Sequence, residues 1–339
     1  MQKILVTGGL GYIGSHSVVA LIEAGFDVVI LDNLSNAEKT TLDRIAQITH
    51  HTPIFFEGDI RDTELLSNIC LKYPDIKAVI HFAGLKAVGE SVAHPIKYYD
   101  NNVVGSIRLI EVMQKHHIKN IIFSSSATVY AQQNGEALRE DDAKKPSNPY
   151  GQTKWMIENI LKDQYGSDPT WRISILRYFN PVGAHASGFI GENPKGIPNN
   201  LFPYIAQTAS GIRQKLNVFG GDYPTADGTA MRDYIHIDDL VKGHIAALKY
   251  SLDHKGYHAF NLGTGKGTSV LEAIKVFEEV NEVKIPYEVT ARREGDIAIC
   301  FANADLAYKV LGWKATKNLE DMCRDHWRWQ QHLNQCRSH

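Results

Sequence analysis

The sequence predicts an α/β fold: a doubly wound parallel sheet followed by a smaller, loop-rich C-terminal lobe. Three observations carry this reading. Short apolar runs recur through the first half of the chain, segments of helical periodicity separate them, and after about residue 180 glycine and proline become dense. Runs that are apolar at every position, not at alternate ones, mark strands covered on both faces, the pattern of a parallel sheet. At ~150 residues per domain, a chain of 339 residues suggests two domains.

Ile4-Leu5-Val6 is a short buried strand that runs into Gly8 and Gly9, and Val18, Val19, Leu21 and Ile22 then fall on helical spacing. Further apolar runs are Val28–Leu31 ending at Asp32, Ile54–Phe56 ending at Asp59, and Ala78–Ile80 ending in His81-Phe82-Ala83-Gly84. Asn120–Phe123 ends in Ser124-Ser125-Ser126, and Ile173–Leu176 ends in Arg177-Tyr178-Phe179-Asn180. Helical segments such as Val103–His116 lie between them. In such sheets ligands sit beyond the carboxyl ends of the strands, which is where Gly, Asp, Ser, Tyr and Asn collect here. Residues 181–230 hold eight glycines and five prolines, which reads as loops and short elements. Amphipathic helices return at Ile237–Tyr250, Ser269–Val280 and Leu319–Leu333. The first domain is expected over 1–180, with segments near 235–260 returning to it, and the second lobe over 181–339.

Composition excludes several classes. Lys and Arg number 36 against 38 Asp and Glu, so no basic field favours nucleic acid as partner. Disorder requires low hydrophobicity and high net charge, whereas here 43% of residues are hydrophobic and the net charge is −2. No apolar run approaches the ~18 residues of a membrane span, and the N-terminus shows no signal-peptide pattern. Cys70, Cys300, Cys323 and Cys336 lack CxxC or CxxH spacing, so reduced thiols in a cytoplasmic protein are expected, with no metal site.

Two constellations point to chemistry. Gly8-Gly9-Leu10-Gly11-Tyr12-Ile13-Gly14 lies between a strand and a helix with GxxGxxG spacing, the arrangement of a Rossmann-type fold. Glycine permits a tight turn and close backbone approach to a pyrophosphate, and the helix N-terminus favours its charge. Asp32 ends the second strand, where a carboxylate accepts from ribose hydroxyls and repels a 2′-phosphate, so NAD is favoured over NADP. Asp59, ending the third strand, either accepts from adenine or caps a helix. The second constellation is Tyr150-Gly151-Gln152-Thr153-Lys154, which opens a helix after Pro146 and Pro149. Positions i and i+4 share a helical face, so the ammonium favours ionisation of the phenol. The alternative is a surface tyrosine over a lysine stem. The serine run Ser124–Ser126 lies on the same rim, where it either bonds the reacting oxygen or serves as turn chemistry.

These motifs, with those further along, resemble the extended short-chain dehydrogenase/reductases, and among them the UDP-hexose 4-epimerases. The resemblance spans nearly the whole chain: Val6-Thr7-Gly8-Gly9 to Ser15-His16, Asp32-Asn33-Leu34, Glu57-Gly58-Asp59-Ile60-Arg61, His81 to Ser91, and Ser124 to Tyr130. It continues through Arg177 to His185, Gly196 to Leu201, Arg232 to His236, and Arg292-Arg293-Glu294-Gly295-Asp296. It implies that Tyr150 takes the proton of the sugar 4-hydroxyl, that Lys154 tunes it and holds the cofactor ribose, and that Ser126 is the catalytic serine. The NAD site would be lined by Gly8, Gly11, Tyr12, Ile13, Gly14, Asp32, Asn33, Leu34, Ser35, Asn36, Ala37, Asp59 and Ile60. Phe82, Ala83, Gly84, Leu85, Lys86, Asn101, Ser124, Tyr178 and Phe179 would complete it. The UDP-sugar would be held by Lys86, Asn180, Asn200, Leu201, Asn217, Val218, Phe219, Arg232 and Arg293 to Asp296. The implied reaction is reversible, NAD-dependent epimerisation of UDP-galactose and UDP-glucose through a 4-keto sugar that turns over while UDP stays anchored. A homodimer is implied, through helices around 95–116 and 150–165.

Departures from the family pattern are few. Cys300 stands where a large residue such as Tyr usually narrows the sugar pocket, so N-acetylated UDP-hexosamines are expected to be accepted too; the alternative is a small buried filler. Ala298 replaces a common proline and Ala131 a common glycine, and Gln132–Lys145 reads as a variable surface loop. Related 4,6-dehydratases place an Asp-Glu pair where Ala127-Thr128 stand, which disfavours elimination. Other readings are a UDP-uronate epimerase or decarboxylase, and a non-catalytic NAD-sensing scaffold on the same fold.

Overall fold

The computed structural model describes residues 2–131, 135–293 and 296–337. Its centre is a seven-stranded parallel sheet. Strands β1 (Lys3–Thr7), β2 (Asp27–Asp32), β3 (Ile54–Glu57), β4 (Ile76–His81), β5 (Asn120–Ser126) and β6 (Arg172–Tyr178) are the six runs expected from the sequence. The seventh strand, Gly256–Leu262, pairs with β6, so the chain does return to this sheet. The order across the sheet is Gly256–Leu262, β6, β5, β4, β1, β2, β3. The order reverses at β1, which pairs Val6 with Ile30 of β2 on one side and with Ile80 of β4 on the other. The crevice at such a reversal is where ligands bind in open α/β sheets.

Side chains from alternate strand positions feed two cores. On one face Ile4, Val6, Ile30 and Ile80 pack under the helix Tyr12–Glu23 (α1) and the helix Ile237–Asp253, with Val18, Leu21, Leu240 and Leu248. On the other, Leu5, Val29, Val79, Ile121 and Phe123 pack with Leu109, Met113, Ile157 and Leu161 of the helices Gly105–Lys115 and Pro149–Ser167. The helix expected from Val103 begins with a π-helical turn over Tyr99–Val104, a feature frequent at functional sites. The second lobe has its own core, where Phe202, Val218, Phe277, Met322 and Cys323 meet. Among the described residues no helix is long and apolar enough to cross a membrane.

From Gly135 on, the expected surface loop Gln132–Lys145 is irregular, and its residues are exposed or half-buried, Leu138 excepted. Gln132, Gln133 and Asn134 lie outside the described residues, but the stretch from Leu138 onward is tied into the molecule. Leu138 is buried and its N–H donates to the carbonyl of Phe301 at 2.9 Å. The Glu140 carboxylate accepts from the Asn261 N–H at 2.7 Å. The segment covers the buried pair Glu158 and Arg177, and Arg177 also donates to the Glu140 carbonyl at 2.8 Å.

That pair fastens the helix Pro149–Ser167 to the sheet. Arg177 donates to both carboxylate oxygens of Glu158, at 2.6 to 3.2 Å, and Ser125 Oγ donates to one of them at 2.5 Å. Removing one member leaves an uncompensated buried charge, whereas the intact pair is satisfied. Arg177→Met is therefore expected to destabilise the protein by about 3–5 kcal/mol, read as a lower urea midpoint. A change below about 1 kcal/mol, the size of an exposed pair, would show that the pair does not fasten the helix.

Candidate active site

The glycine turn is built for close approach. Gly8 has φ +70°, and a Cβ there would lie 2.7 Å from the Ala83 nitrogen. At Gly14 a Cβ would fall 2.1 Å from the Gly8 carbonyl oxygen. Only glycine lets the first turn of α1 sit against the end of β1. Gly11 is the N-cap of α1, and neither a side-chain cap nor an acid occupies the first turn. The terminal N–H groups are thus left for an anion, which the helix dipole also favours. This cradle fits a dinucleotide pyrophosphate.

The ribose end is built around Asp32. One oxygen of its carboxylate accepts the Leu10 N–H at 3.0 Å and the other the Leu34 N–H at 2.9 Å. Burial pushes the Asp32 carboxyl up, and these backbone donors oppose it. Leu34 has φ +57°, so the loop turns sharply here and Asn33 faces Asp59. Asp59 accepts from Asn33 Nδ2 at 2.9 Å and from the Arg61 guanidinium at 2.8 and 2.9 Å. The Arg61 contacts hold the Asp59 carboxyl down at about 2. Asp59 is not a helix cap; Asp62 is, accepting the Leu65 N–H at 2.9 Å. The Tyr12 phenol is used structurally, donating to the Gly183 carbonyl at 2.8 Å. Tyr12 therefore has only its backbone N–H to offer a ligand.

The reacting end brings Tyr150, Lys154, Ser124, Ser126 and Tyr178 together. Asn148 caps the helix Pro149–Ser167, its side chain accepting the Gly151 N–H at 2.9 Å, and Pro149 takes the first helical position. A Cβ on Gly151 would meet the Thr128 carbonyl at 2.7 Å, so the helix start is pressed against the end of β5. This contact sets Tyr150 beside Ser126. Burial pushes the Tyr150 phenol up, opposed by the neighbouring Ser126 hydroxyl. Lys154 Nζ lies 5.9 Å from the centre of the Tyr150 ring and donates to the Ser124 carbonyl at 2.8 Å. Burial lowers the Lys154 ammonium to about 8. The Ser124 and Tyr178 hydroxyls share a short hydrogen bond. Gly84 lies so close that a Cβ would be 3.8 Å from Lys154 Nζ.

Asn101 is expected here from the sequence, but the organising group is its neighbour. The buried Asn102 amide accepts the Leu85 N–H at 2.8 Å and donates to the Leu85 carbonyl at 3.0 Å and to Thr153 Oγ1 at 3.1 Å. Asn101 Nδ2 donates to the Asn102 side-chain carbonyl oxygen at 2.9 Å. The pair Asn101-Asn102 stands inside the π-helical turn Tyr99–Val104, which no periodicity in the sequence marks.

The far end of the cleft is cationic and aromatic. Arg232 lies on a two-residue strand in register with Cys300, and its guanidinium donates to the Ile297 carbonyl at 2.8 Å, with Asp296 at 3.7 Å. The Arg293 guanidinium stacks 3.8 Å over the Phe219 ring. Asn217 and Phe219 share one face of the strand Leu216–Phe219, while Val218 points into the second core, leaving only its backbone for a ligand. Glu294 and Gly295 lie outside the described residues. Asn180 opens the short strand paired with Tyr234–His236. Cys300 packs beside Ala127 and Trp155 on the cluster holding Phe179, and burial pushes its thiol up to about 11.

Sequence reasoning overlooked Glu192. Its buried carboxylate accepts from Lys86 Nζ and Asn200 Nδ2, each at 2.8 Å. It sits in a stretch with no periodicity, so no pattern marks it. His236, Asp238 and Asp325 also converge away from the cleft, but the Lys317 ammonium, 3.5 and 3.9 Å from the two carboxylates, supplies the positive charge there.

Comparison with known proteins places these features. Residues 4–263 match the NAD dependent epimerase/dehydratase family. The chain is 54% identical over 329 residues to a UDP-glucose 4-epimerase of Bacillus subtilis, covering 97% of each. A UDP-glucose 4-epimerase from Stenotrophomonas maltophila, with bound NAD and formylated UDP-arabinopyranose, superposes with a TM-score of 0.97 at 47% identity, covering 99% of this chain and all of that one. One from Bifidobacterium longum, in complex with NAD+ and UDP, gives 0.94 at 48% identity, covering 98% and 99%.

Proposed function

The chain belongs to the NAD dependent epimerase/dehydratase family, and from that premise we propose how its residues divide the work. The reaction is reversible, NAD-dependent 4-epimerisation of UDP-galactose and UDP-glucose. The observation that carries the assignment of roles is the placing of Tyr150 and Lys154 one helical turn apart at the end of β5, with Lys154 Nζ 5.9 Å from the centre of the Tyr150 ring.

Tyr150 receives the 4-hydroxyl proton and later returns it. Burial pushes this phenol up from its ordinary value, so the protein alone does not make it a base. The positive charges of Lys154 and of oxidised NAD shift the balance towards phenolate. Ser126 holds the reacting oxygen in line with the phenol. Lys154 spends one donor on the Ser124 carbonyl and keeps two for the nicotinamide ribose. Bound NAD would supply the hydride acceptor and donor for the sugar C4, so that the reaction passes through a 4-keto sugar. Tyr150 must serve both epimers, so the sugar is held loosely and the UDP firmly. Arg232 and Arg293 offer planar forks to the diphosphate, and Phe219 offers a face to the uracil. The division into an NAD lobe over 1–180 and a UDP-sugar lobe over 181–339 follows from these roles, with the segments near 235–260 serving the first.

The small Cys300 beside Arg232 extends the substrate range to UDP-GlcNAc and UDP-GalNAc, because it leaves room beside the sugar for an N-acetyl group. A homodimer fits the apolar side chains left outside on packed neighbouring helices, Val92 at 62% exposure, Ile96 at 76% and Met156 at 36%. Such patches mark interfaces. A cytoplasmic setting fits the four free thiols, and fractionation of the source cells would check it.

Three outcomes are expected. Tyr150→Phe should lose at least about a hundredfold in kcat, the contribution of a placed acid–base group, while NAD still co-purifies; retained turnover would remove Tyr150 from this role. Cys300→Tyr should abolish conversion of UDP-GalNAc and spare UDP-galactose, with products resolved by anion-exchange chromatography; equal loss of both refutes the pocket argument. Ile96→Glu should convert a dimer to a monomer in sedimentation velocity; an unchanged sedimentation coefficient places any interface elsewhere.

A further inference from the structure

We propose that Glu192 is a positioning residue that presents Lys86 and Asn200 to the UDP-sugar, and that it fixes which polar atom Asn200 offers. This rests on the reading of Lys86 and Asn200 as substrate-binding groups. Lys86 belongs to the loop after β4, in the first lobe, and Asn200 precedes the helix Leu201–Ala209 in the second. One oxygen of the Glu192 carboxylate accepts from both, so it spans the cleft between lobes. Glu192 is 6% exposed, whereas the Lys86 side chain is 46% exposed, so the charge faces solvent and its holder does not.

Asn200 occupies the N-cap position of its helix yet makes no cap hydrogen bond. Its amide is diverted to Glu192. An ionised carboxylate accepts only, so the NH2 of Asn200 must point at Glu192. The amide oxygen is thereby turned outward as an acceptor, suited to a hydroxyl or N–H donor of the ligand. Lys86 keeps two donors for acceptor oxygens of the same ligand. Without Glu192, the Asn200 amide rotates freely or returns to cap its helix.

Glu192 is itself held firmly. Its carbonyl accepts the Trp329 indole N–H at 3.0 Å, and a Cβ on Gly191 would lie 2.4 Å from that indole, so the segment is pressed against the C-terminal helix. Three residues beyond it, Lys195 Nζ donates to the Leu34 and Ser35 carbonyls at 3.0 and 3.1 Å. The segment is thus pinned on both sides of the carboxylate.

The test uses purified holoenzyme carrying Glu192→Ala or the isosteric Glu192→Gln, with Asn200→Ala alongside. Glu192→Ala is expected to raise the KM for UDP-galactose about tenfold or more, the scale of one lost charge-assisted contact. The fall in kcat should be smaller than the rise in KM, with bound NAD and melting temperature near those of the unmodified protein. Glu192→Gln, which retains an acceptor but also offers a donor, should lie between. In the Asn200→Ala background, Glu192→Ala should add less than it does alone. An unchanged KM in Glu192→Ala overturns the proposal, as does a loss confined to NAD content and melting temperature. If Glu192→Ala does not fold, an unchanged KM in Glu192→Gln overturns it. Should Asn200→Ala itself leave KM unchanged, the assignment of Asn200 to the ligand fails, whatever Glu192 does.

Discussion

The active cleft depends on one steric fact: Gly14 cannot carry a Cβ, because the Gly8 carbonyl lies 2.1 Å from where it would be. That contact joins the end of β1 to the first turn of α1 and leaves the N–H groups of that turn uncovered. β1 is also where strand order reverses, so the loops after β1 and β4 diverge and open the crevice. Once the pyrophosphate position is set there, Asp32 lies on one side at the end of β2, and Lys154 and Tyr150 on the other, past β4 and β5. No loop could move α1 away from β1 without losing this alignment.

The second lobe is registered to the first by buried polar groups. The Asp233 carboxylate, fully buried, accepts from the Thr264 N–H and hydroxyl and from the Gly265 and Ala302 N–H groups, at 2.6 to 3.1 Å. It ties together the strand bearing Arg232, the loop after Gly256–Leu262, and the residue two beyond Cys300. Tyr12 adds a second stitch through the Gly183 carbonyl. Buried carboxylates without partners cost several kcal/mol, so these groups act as locks that hold only at the correct register. Arg232 and Arg293 come from one lobe and Tyr150 from the other, and their spacing is set by such locks.

Six of the seven sheet strands were legible because each carries a short, mostly continuous apolar run, and the helix bearing Tyr150 because Pro149 marks its start. The turn at Gly8–Gly14 and Asp32 were legible for the same reason: their roles are local. The features that escaped depend on side chains meeting from distant segments. Glu192 sits 106 residues from Lys86, and nothing in its neighbours foretells the contact. Leu138 is one buried residue in a polar stretch, too little to show a period, so the segment read as surface. Arg232 and Cys300 stand on strands of two residues, shorter than any pattern; their significance came from resemblance, not from spacing. Asp59 could be either cap or ligand group by sequence, and the structure excludes the cap because Asp62 takes that position.

A 4-epimerase has an unusual requirement: one acid–base group must serve both configurations of the same carbon. Tight complementarity to either sugar would bind one ground state and slow the return. The distribution of rigid groups here answers that requirement. Rigid contacts cluster at the two ends of the cleft, with the Arg293–Phe219 stack and the carbonyl-bound Arg232 at one and the glycine cradle at the other. Between them the cleft is lined, on the proposed assignment, by small groups such as Ser126 and Cys300. The Tyr150 phenol, with its ionisation pushed up by burial, is not a standing base that would hold one epimer by charge. It is drawn towards ionisation by cationic neighbours, chiefly the cofactor in its oxidised state. On the proposed roles, proton removal is coupled to a hydride acceptor, because the charge that favours the phenolate is carried by the group that accepts the hydride.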